Sequence, residues 1–417
     1  SASVTGQVVF MGYGIDAPSM GYTAFDEHNV RGKIVVVLAG TPDGLASEER
    51  AHFGSMLTKV DTAVRHGAIG VIGIPSNRGN AAAGRTALVR SVSRPREIVA
   101  YKNGEKDSID VVARLTEAGM DKVLTAAKVE ASSVFEGEPV TGPWDVTLKM
   151  TSKTTYRDYT SPNIIGKIVG ADPKLRDEYI VLTAHLDHIG KLSSVERGVD
   201  IINNGAMDNA MGTASLIEEA RLFMAGETPP QRSLLFIALT AEEKGLLGSE
   251  YFVENPTVPV DDMVANVNLD LPLALFEFVD VVAFGAQHSS LKDTAAKAAG
   301  KLGVEVIPDP VPEMALFVRS DHYNFVKKGI PSIFLIFGFG NGGEEAFSSY
   351  MAADYHRPSD QPDLPIRYDM TAKFAELNYL IAGAIANDAE RPRWNEDSVF
   401  RDLFAPDQPA RPSPTGM

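Results

Sequence analysis

The chain has 417 residues, 44% of them hydrophobic, and a formal net charge of −16 at pH 7. This acidity argues against nucleic acid or an anionic membrane as a partner, and the absence of cysteine excludes disulfides, thiolate zinc sites and cysteine nucleophiles. No apolar run reaches the roughly 18 residues that a membrane-spanning helix needs. The sequence opens at Ser1 without a signal peptide, and we expect an exported protein, periplasmic or extracellular, whose signal segment is missing from it.

Residues 1–143 are predicted to form a small β-rich domain with a few helices. The stretches GQVVFMGYGI and GKIVVVLAG have the Val and Ile content and the glycine boundaries of strands. KVDTAVRHGAIGVIGI predicts a helix, a stop at Gly67 and a short buried strand, while YKNGEKDSIDVV predicts a polar loop and LTEAGMDKVLTAA another helix. These segments gather no titratable groups, which favours a packing or interaction module.

A Gly- and Pro-rich stretch near residues 135–145, FEGEPVTGPWDV, indicates a connection to a second domain at residues 144–405. There, predicted strands alternate with predicted helices, which implies an α/β fold with a mostly parallel, mixed sheet covered by helices on both faces. The predicted strands are PNIIGKIVG, EYIVLTAH, SLLFIALT, MVANVNLD, DVVAFGA and PSIFLIFG, and the predicted helices are 209–225, 243–254, 289–302 and 371–387. The Pro-rich end, residues 406–417, is predicted to be a mobile tail.

Charged side chains follow several of these strands directly. Ligands bind at the carboxyl ends of the strands in open α/β sheets, so these positions are candidates for a common site. They are His185, Asp187 and His188 after YIVLTA, Asp208 before the next helix, Glu242 and Glu243 after LLFIALT, Asp270 after VANVNL, and His356 and Asp360 in DYHRPSD.

Each of these residues alone is more often a helix cap or a surface charge, and Asp208 in particular could cap the helix that follows it. Five segments that end in the same way favour a shared site. Imidazole and carboxylate donors without cysteine suit zinc or a similar divalent metal. The set is large enough for two metals that share a bridging carboxylate. One of the paired glutamates could then face a metal while the other lies next to the attacking water.

The motifs AHLDH, NNGAMDNAMGTASLIEEAR, TAEEKGLLGSEYF, NLD, RSDHYNF, GIPSIFL and YHRPSD resemble the co-catalytic zinc aminopeptidases of metallopeptidase family twenty-eight over about residues 160–390. VVFMGYGIDAP and VRGKIVVVLAG resemble, more weakly, the protease-associated domain inserted in some members. Relatives with that insert usually carry a stretch of peptidase domain before it, whereas this sequence begins almost directly at the insert, so we expect that stretch to be either removed or absent. The resemblance implies two Zn²⁺ ions and hydrolysis of the amino-terminal residue of peptides.

The resemblance also implies a role for each site residue. Asp208 would bridge the two metals, His185 and Asp270 would complete one site, and Glu243 and His356 the other. Glu242 would be the general base. Three further roles complete the assignment: Asp187 would orient His185, Tyr355 would help to polarise the substrate carbonyl, and Asp321 and His322 would line the site wall without binding metal. By the same analogy the Asp208–Asn209 peptide bond would be cis.

Several alternatives stay open at this point. A catalytically inactive binding module should lack ligands or the base, and a glutaminyl cyclase would bind one metal. A glutamate-releasing carboxypeptidase would need a cationic pocket, for which Arg319 is the only obvious basic candidate among the motif residues, and dipeptidase activity is a further alternative. GFGNGG at residues 338–343 matches the dinucleotide-binding fingerprint, but no clear helix is predicted after it, so we expect a mobile loop at the rim of the site. The sequence does not indicate an oligomeric state.

Overall fold

A computed structural model describes residues 2–76, 111–153, 155, 157–192 and 198–414. The chain divides into two compact units. The first comprises Ser1–Ile98, Lys102–Tyr159 and Pro312–Val318, and the second comprises Val99–Tyr101, Thr160–Val311 and Arg319–Met417. Most of the predicted polar loop at residues 101–112 lies outside the described residues. Among the described residues, no helix has the length and apolar character needed to cross a membrane.

The first unit is built on a five-stranded sheet. Its strands are β1 (Ala2–Phe10), β2 (Ile34–Leu38), β3 (Gly70–Ile74), β4 (Val111–Arg114) and β5 (Gly142–Ser152), in the order β4-β3-β2-β1-β5. β1 to β4 pair in parallel, and β5 runs antiparallel to β1. The described helices of this unit are Ala24–Glu27, Ser47–Gly54, Met56–Arg65, Glu117–Ala127 and Ser132–Phe135. β2 and β3 are buried along their whole length, as their Val- and Ile-rich sequences predict.

The predicted domain boundary at residues 143 and 144 is wrong. β5 pairs with β1 from Ala2 opposite Ser152 to Phe10 opposite Gly142. Trp144 is buried and stacks on Phe10, with ring centroids 5.2 Å apart, so this strand completes the core of the first unit. The Gly- and Pro-rich stretch therefore enters a strand, and the chain leaves the first unit only after Tyr159.

The second unit contains a seven-stranded mixed sheet, which confirms the predicted fold class. Its strands are β6 (Ile164–Ile168), β7 (Tyr179–His185), β10 (Ser233–Leu239), β11 (Met263–Leu269), β12 (Asp280–Phe284), β13 (Glu305–Ile307) and β14 (Ser332–Phe337), in the order β13-β12-β14-β11-β7-β10-β6. The four central strands, β14, β11, β7 and β10, are parallel. β8 (Gly190–Lys191) and β9 (Ile202–Asn203) form a separate short hairpin.

Helices pack against this sheet. The described helices of the second unit are Met211–Ala225, Leu247–Glu254, Leu291–Lys301, His322–Val326, Gly343–Ala353, Tyr368–Asn387 and Val399–Phe404. The apolar stripe predicted for the long helix near the C-terminus is buried: Phe374, Leu377, Ile381 and Ile385 are each at most 2% exposed. The helix predicted from residue 243 begins only at Leu247, because Gly245 and Leu246 both have positive φ and break the helical path.

Two further predictions from the sequence need correction. A helix does follow GFGNGG, at Gly343–Ala353. The Asp280 carboxylate accepts from the backbone N–H of Gly340 at 3.1 Å, so an acidic group occupies the loop where a phosphate would bind. The sequence also predicts a mobile tail at residues 406–417, but its described part, residues 406–414, contacts the rest of the second unit. Arg411 forms an ion pair with Asp293 at 2.6 Å and donates to Asn395.

Candidate metal centre

Neighbouring strands bring the first group of predicted ligands together. His185 is the last residue of β7, and Asp270 follows directly after β11, the strand that pairs with β7. The Nε2 atom of His185 lies 3.1 Å from Oδ1 of Asp270 and 3.2 Å from Oδ1 of Asp208. All three residues are buried. The parallel pairing of β7 and β11 therefore places the Asp270 carboxylate beside the His185 imidazole, and Asp208 joins them from outside the sheet.

Asp208 reaches this position through an irregular entry into helix Met211–Ala225. Asp208 and Asn209 are non-helical, and the peptide bond between them is cis, as the resemblance implied. The side chain of Asn209 donates to the carbonyl of Leu269 and accepts from the N–H of Gly212. A Cβ at Gly212 would lie 2.0 Å from Oδ1 of Asn209, so only glycine leaves room for this arrangement.

A second group of ligands shares Asp208. Glu243 follows β10, and His356 follows helix Gly343–Ala353 with a φ of +57°. Nε2 of His356 lies 3.2 Å from Oδ2 of Asp208 and 3.3 Å from Oε2 of Glu243. His188 joins this group, because its Nδ1 atom lies 2.8 Å from Oε1 of Glu243. The sequence placed His188 at the same strand end but gave it no role.

Groups beneath the ligands hold them in place: Asp360, which the sequence indicates as a site candidate without a defined role, and Ser320 and Asn268, for which it indicates none. The carboxylate of Asp360 is fully buried and accepts from the backbone N–H groups of Met207 and Asp208. Ser320 Oγ donates to Oδ2 of Asp270 at 2.5 Å, and Asn268 in turn donates to Ser320. The only available signal was that Asp360 shares the DYHRPSD segment with His356.

Carboxylates dominate the electrostatics of the first group. Burial alone would lower the pKa of His185, but the Asp270 and Asp208 carboxylates outweigh burial and raise that pKa well above its usual value. Burial acts to raise the pKa of Asp208, whereas the imidazoles of His185 and His356 hold it well below its ordinary range. The negative charge of these carboxylates therefore favours a positive charge among the ligand side chains, on the protonated imidazole of His185.

The predicted catalytic residues lie next to these ligands. Burial raises the pKa of the Glu242 carboxyl well above its usual range, and the nearby Asp270 carboxylate adds to the effect. The side chain of Asp187 does not hold the His185 ring directly: its carboxylate is 3.9 Å from Nδ1 and accepts from the N–H of Glu242. The backbone carbonyl of Asp187 is closer, at 3.0 Å from Nδ1. The loop that follows β7 thus positions both His185 and Glu242.

Tyr355 stacks on the ring of His356, with centroids 3.8 Å apart. The Arg319 guanidinium donates to its hydroxyl at 3.1 Å. Burial raises the pKa of Tyr355 above its ordinary value, so the hydroxyl stays protonated at neutral pH. The side chains of Asp321 and His322, which the resemblance places in the site wall, are both fully buried. Asp321 accepts from Ser249 at 2.5 Å.

The donor set fits two divalent cations. Two sets of side chains, His185 with Asp208 and Asp270, and His188 with Asp208 and Glu243, each place their ligand atoms within 4.8 Å of one another. Two atoms bound to one zinc ion at 2.0–2.2 Å, at roughly 90–110° to each other, lie roughly 2.8–3.6 Å apart. The contacts of 3.1 to 3.3 Å made by His185 and His356 match that spacing.

Comparison with known proteins gives a family match and several relatives. A family model described as Peptidase family M28 matches residues 163–382, which is more than half of the chain. Aminopeptidase YwaD of Bacillus subtilis (strain 168) is 28% identical over 229 residues, which cover 54% of this chain and 44% of YwaD. Aminopeptidase NAALADL1 of Rattus norvegicus is 27% identical over 273 residues, covering 59% of this chain and 33% of that protein.

The chain thus spans less than half the length of these curated relatives. Among solved structures, an aminopeptidase from Aneurinibacillus sp. strain AM-1 is 20% identical, with 94% of this chain and 76% of that chain covered and a TM-score of 0.44.

Proposed function

The chain belongs to peptidase family M28, and on that basis we propose that it is a dinuclear zinc aminopeptidase that hydrolyses the amino-terminal residue of peptides. The observation that carries the proposal is the placement of Asp208. Its Oδ1 atom faces His185 in one group of ligands, and its Oδ2 atom faces His356 in the other. A carboxylate placed in this way supports two cations that share one bridging ligand.

In the proposed site, His185, Asp208 and Asp270 hold one zinc ion, and Asp208, Glu243 and His356 hold the other. When bound, the two ions would lower the pKa of the attacking water and stabilise negative charge on the scissile carbonyl. The remaining steps belong to the chain's own residues. The carboxylate of Glu242 accepts a proton from the water and then delivers it to the leaving amine.

The Tyr355 hydroxyl donates a hydrogen bond to the substrate carbonyl oxygen. Its stacking on His356 and its contact with Arg319 support this role, because both limit the motion of the ring. The raised pKa keeps the proton on the hydroxyl, as a donor requires. The carboxylates around the site attract the positively charged α-amine of a substrate and repel a terminal carboxylate.

Two measurements test this proposal. The first is the zinc content of the native protein after dialysis, with two ions per chain expected. The second compares an aminoacyl-anilide with its N-acetylated form, which keeps the scissile bond but lacks the charged amine. We expect at least about a 100-fold loss of kcat/KM on acetylation, or about 2.7 kcal/mol.

Each alternative gives a different result in these assays. One zinc ion per chain and cyclisation of amino-terminal glutamine would indicate a glutaminyl cyclase. Release from the carboxyl end of a short peptide would indicate a glutamate-carboxypeptidase-like enzyme, with Arg319 as the residue that binds the carboxylate. Equal rates for the two anilides would reject the aminopeptidase assignment and leave the dinuclear hydrolase in place.

The first unit and the location are further parts of the proposal. We propose that the first unit is a protease-associated domain, supported by the motifs VVFMGYGIDAP and VRGKIVVVLAG. We also propose that the protein is exported to the periplasm or the extracellular space. Fractionation of cells that express the full-length gene tests this location, and recovery of the protein in the cytoplasm would reject it.

A further inference from the structure

His188 lies in the second group of ligands without a hydrogen bond that explains its position. Its side chain is 7% exposed, and its Nδ1 atom is 2.8 Å from Oε1 of Glu243 and 3.9 Å from Oδ2 of Asp208. Despite the short distance, neither Nδ1 of His188 nor Oε1 of Glu243 makes an aligned hydrogen bond within the described part of the chain. Burial of such atoms without a partner costs free energy.

The misalignment distinguishes two explanations of this contact. A hydrogen bond would direct the N–H of the imidazole at the carboxylate oxygen. Two ligands of one cation would instead direct their lone pairs at a common point between them, so that the two atoms are close but not aligned. The 2.8 Å contact lies at the short end of the spacing between ligand atoms on one zinc ion, roughly 2.8–3.6 Å.

The surrounding residues are shaped to hold His188 in this position. Gly205 has a φ of +66°, and a Cβ there would lie 2.7 Å from Cγ of His188 and 2.3 Å from the carbonyl oxygen of Asp208. A larger residue at position 205 would therefore displace the imidazole. The ring of His188 also packs edge-on against that of His356, with centroids 5.6 Å apart, so two imidazoles approach the same carboxylates.

We propose that His188 is a further protein ligand of the second zinc ion and binds it through Nδ1, beside Asp208, Glu243 and His356. This inference rests on the dinuclear site of the proposed function. It gives the second ion two imidazoles and two carboxylates. The two ions together then bind three imidazoles, those of His185, His188 and His356. If His188 is not a ligand, they bind two.

X-ray absorption at the zinc edge of the wild-type protein counts these imidazoles without any mutation. The variant His188→Asn adds a second readout, since its amide can still donate a hydrogen bond to Glu243 but binds zinc poorly. Competition with a chelator measures the affinity of each ion, and circular dichroism of the metal-free protein checks the fold. His28→Asn is the matched control, because among the described residues the one side-chain hydrogen-bond partner of His28 is Thr141, in the first unit.

We expect three imidazoles per two zinc ions in the wild type. In His188→Asn we expect the second ion to bind more than 100-fold more weakly, beyond the roughly 10–100-fold cost of losing an outer partner of a ligand. Two imidazoles per two ions, or wild-type affinity in His188→Asn, would overturn the inference and leave the proposed function intact. Wild-type protein that binds fewer than two zinc ions would reject the dinuclear site itself.

Discussion

Asp360 offers a direct test of how the structure holds its bridging ligand. Its Oδ1 atom accepts from the N–H of Met207 at 2.9 Å. Its Oδ2 atom accepts from the N–H groups of Met207 and Asp208, both at 3.2 Å, and from the hydroxyl of Tyr350 at 3.1 Å. Asp360 is fully buried, so water cannot replace it.

Asp360→Ala leaves two buried backbone N–H groups without an acceptor. Each costs about 1–3 kcal/mol, so we expect a loss of about 2–6 kcal/mol of unfolding free energy. This is a large part of the roughly 5–15 kcal/mol that stabilises a typical protein. In Asp360→Asn, one oxygen remains where Oδ2 lies and keeps its three donors. We expect that variant to lose only about 1–3 kcal/mol, the value of one hydrogen bond to a charged group.

Urea unfolding of metal-free protein measures this effect apart from any contribution of bound zinc. Asp363→Asn is the control, because it removes a charge from an exposed position in the same segment. A zinc titration of each variant then shows whether the entry into helix Met211–Ala225 still presents Asp208. An Asp360→Ala variant within about 0.5 kcal/mol of the control, the range of ordinary surface substitutions, would refute the reasoning.

Three other predictions follow from the site and the core. Glu242→Gln should keep both zinc ions and lose about 10²–10⁴-fold in kcat, since it keeps its shape but not its basicity; near-normal turnover would mean that another group is the base. Asp208→Ala should lose both ions in a zinc assay, and full occupancy would exclude a bridging role. Glu219 is fully buried, neither carboxyl oxygen has a partner among the described residues, and burial raises its pKa well above the usual value. Because the folded pKa is raised, Glu219 does not destabilise the wild type below the unfolded pKa of about 4.3, and the unfolding free energy falls as the pH rises toward the folded pKa. Glu219→Leu should therefore raise the unfolding free energy by about 1–3 kcal/mol, and by more at higher pH. Denaturant unfolding at several pH values measures the gain, and a pH-independent difference would contradict it.

The sequence predicts the strands and their charged ends well, because β7, β10 and β11 are mostly apolar and a polar residue ends or follows each. β7 ends at His185 and β11 ends next to Asp270, as predicted. Contacts between distant residues are what it could not predict. Asp360 and Met207 are 153 positions apart, and only the fold brings them together.

Local composition is a poor guide at two other places. The Pro-rich end of the chain is typical of a mobile tail, but Arg411 contacts Asp293, Asn395 and the carbonyl of Ser289. The connection between domains was placed too early for a similar reason: glycine and proline mark loops on average, yet Gly142 and Pro143 here begin an edge strand.

The polar chain beneath Asp270 bears on attempts to engineer this protein. Thr183 donates to Asn268, Asn268 donates to Ser320, and Ser320 donates to the ligand Asp270, and all four residues are buried. Replacing all four residues together, Asp270 included, by apolar residues of similar shape would cost little folding stability or improve it, because matched polar partners contribute little net free energy. A selection for heat resistance alone would therefore tend to erase this chain, whereas a selection that also demands turnover would retain it.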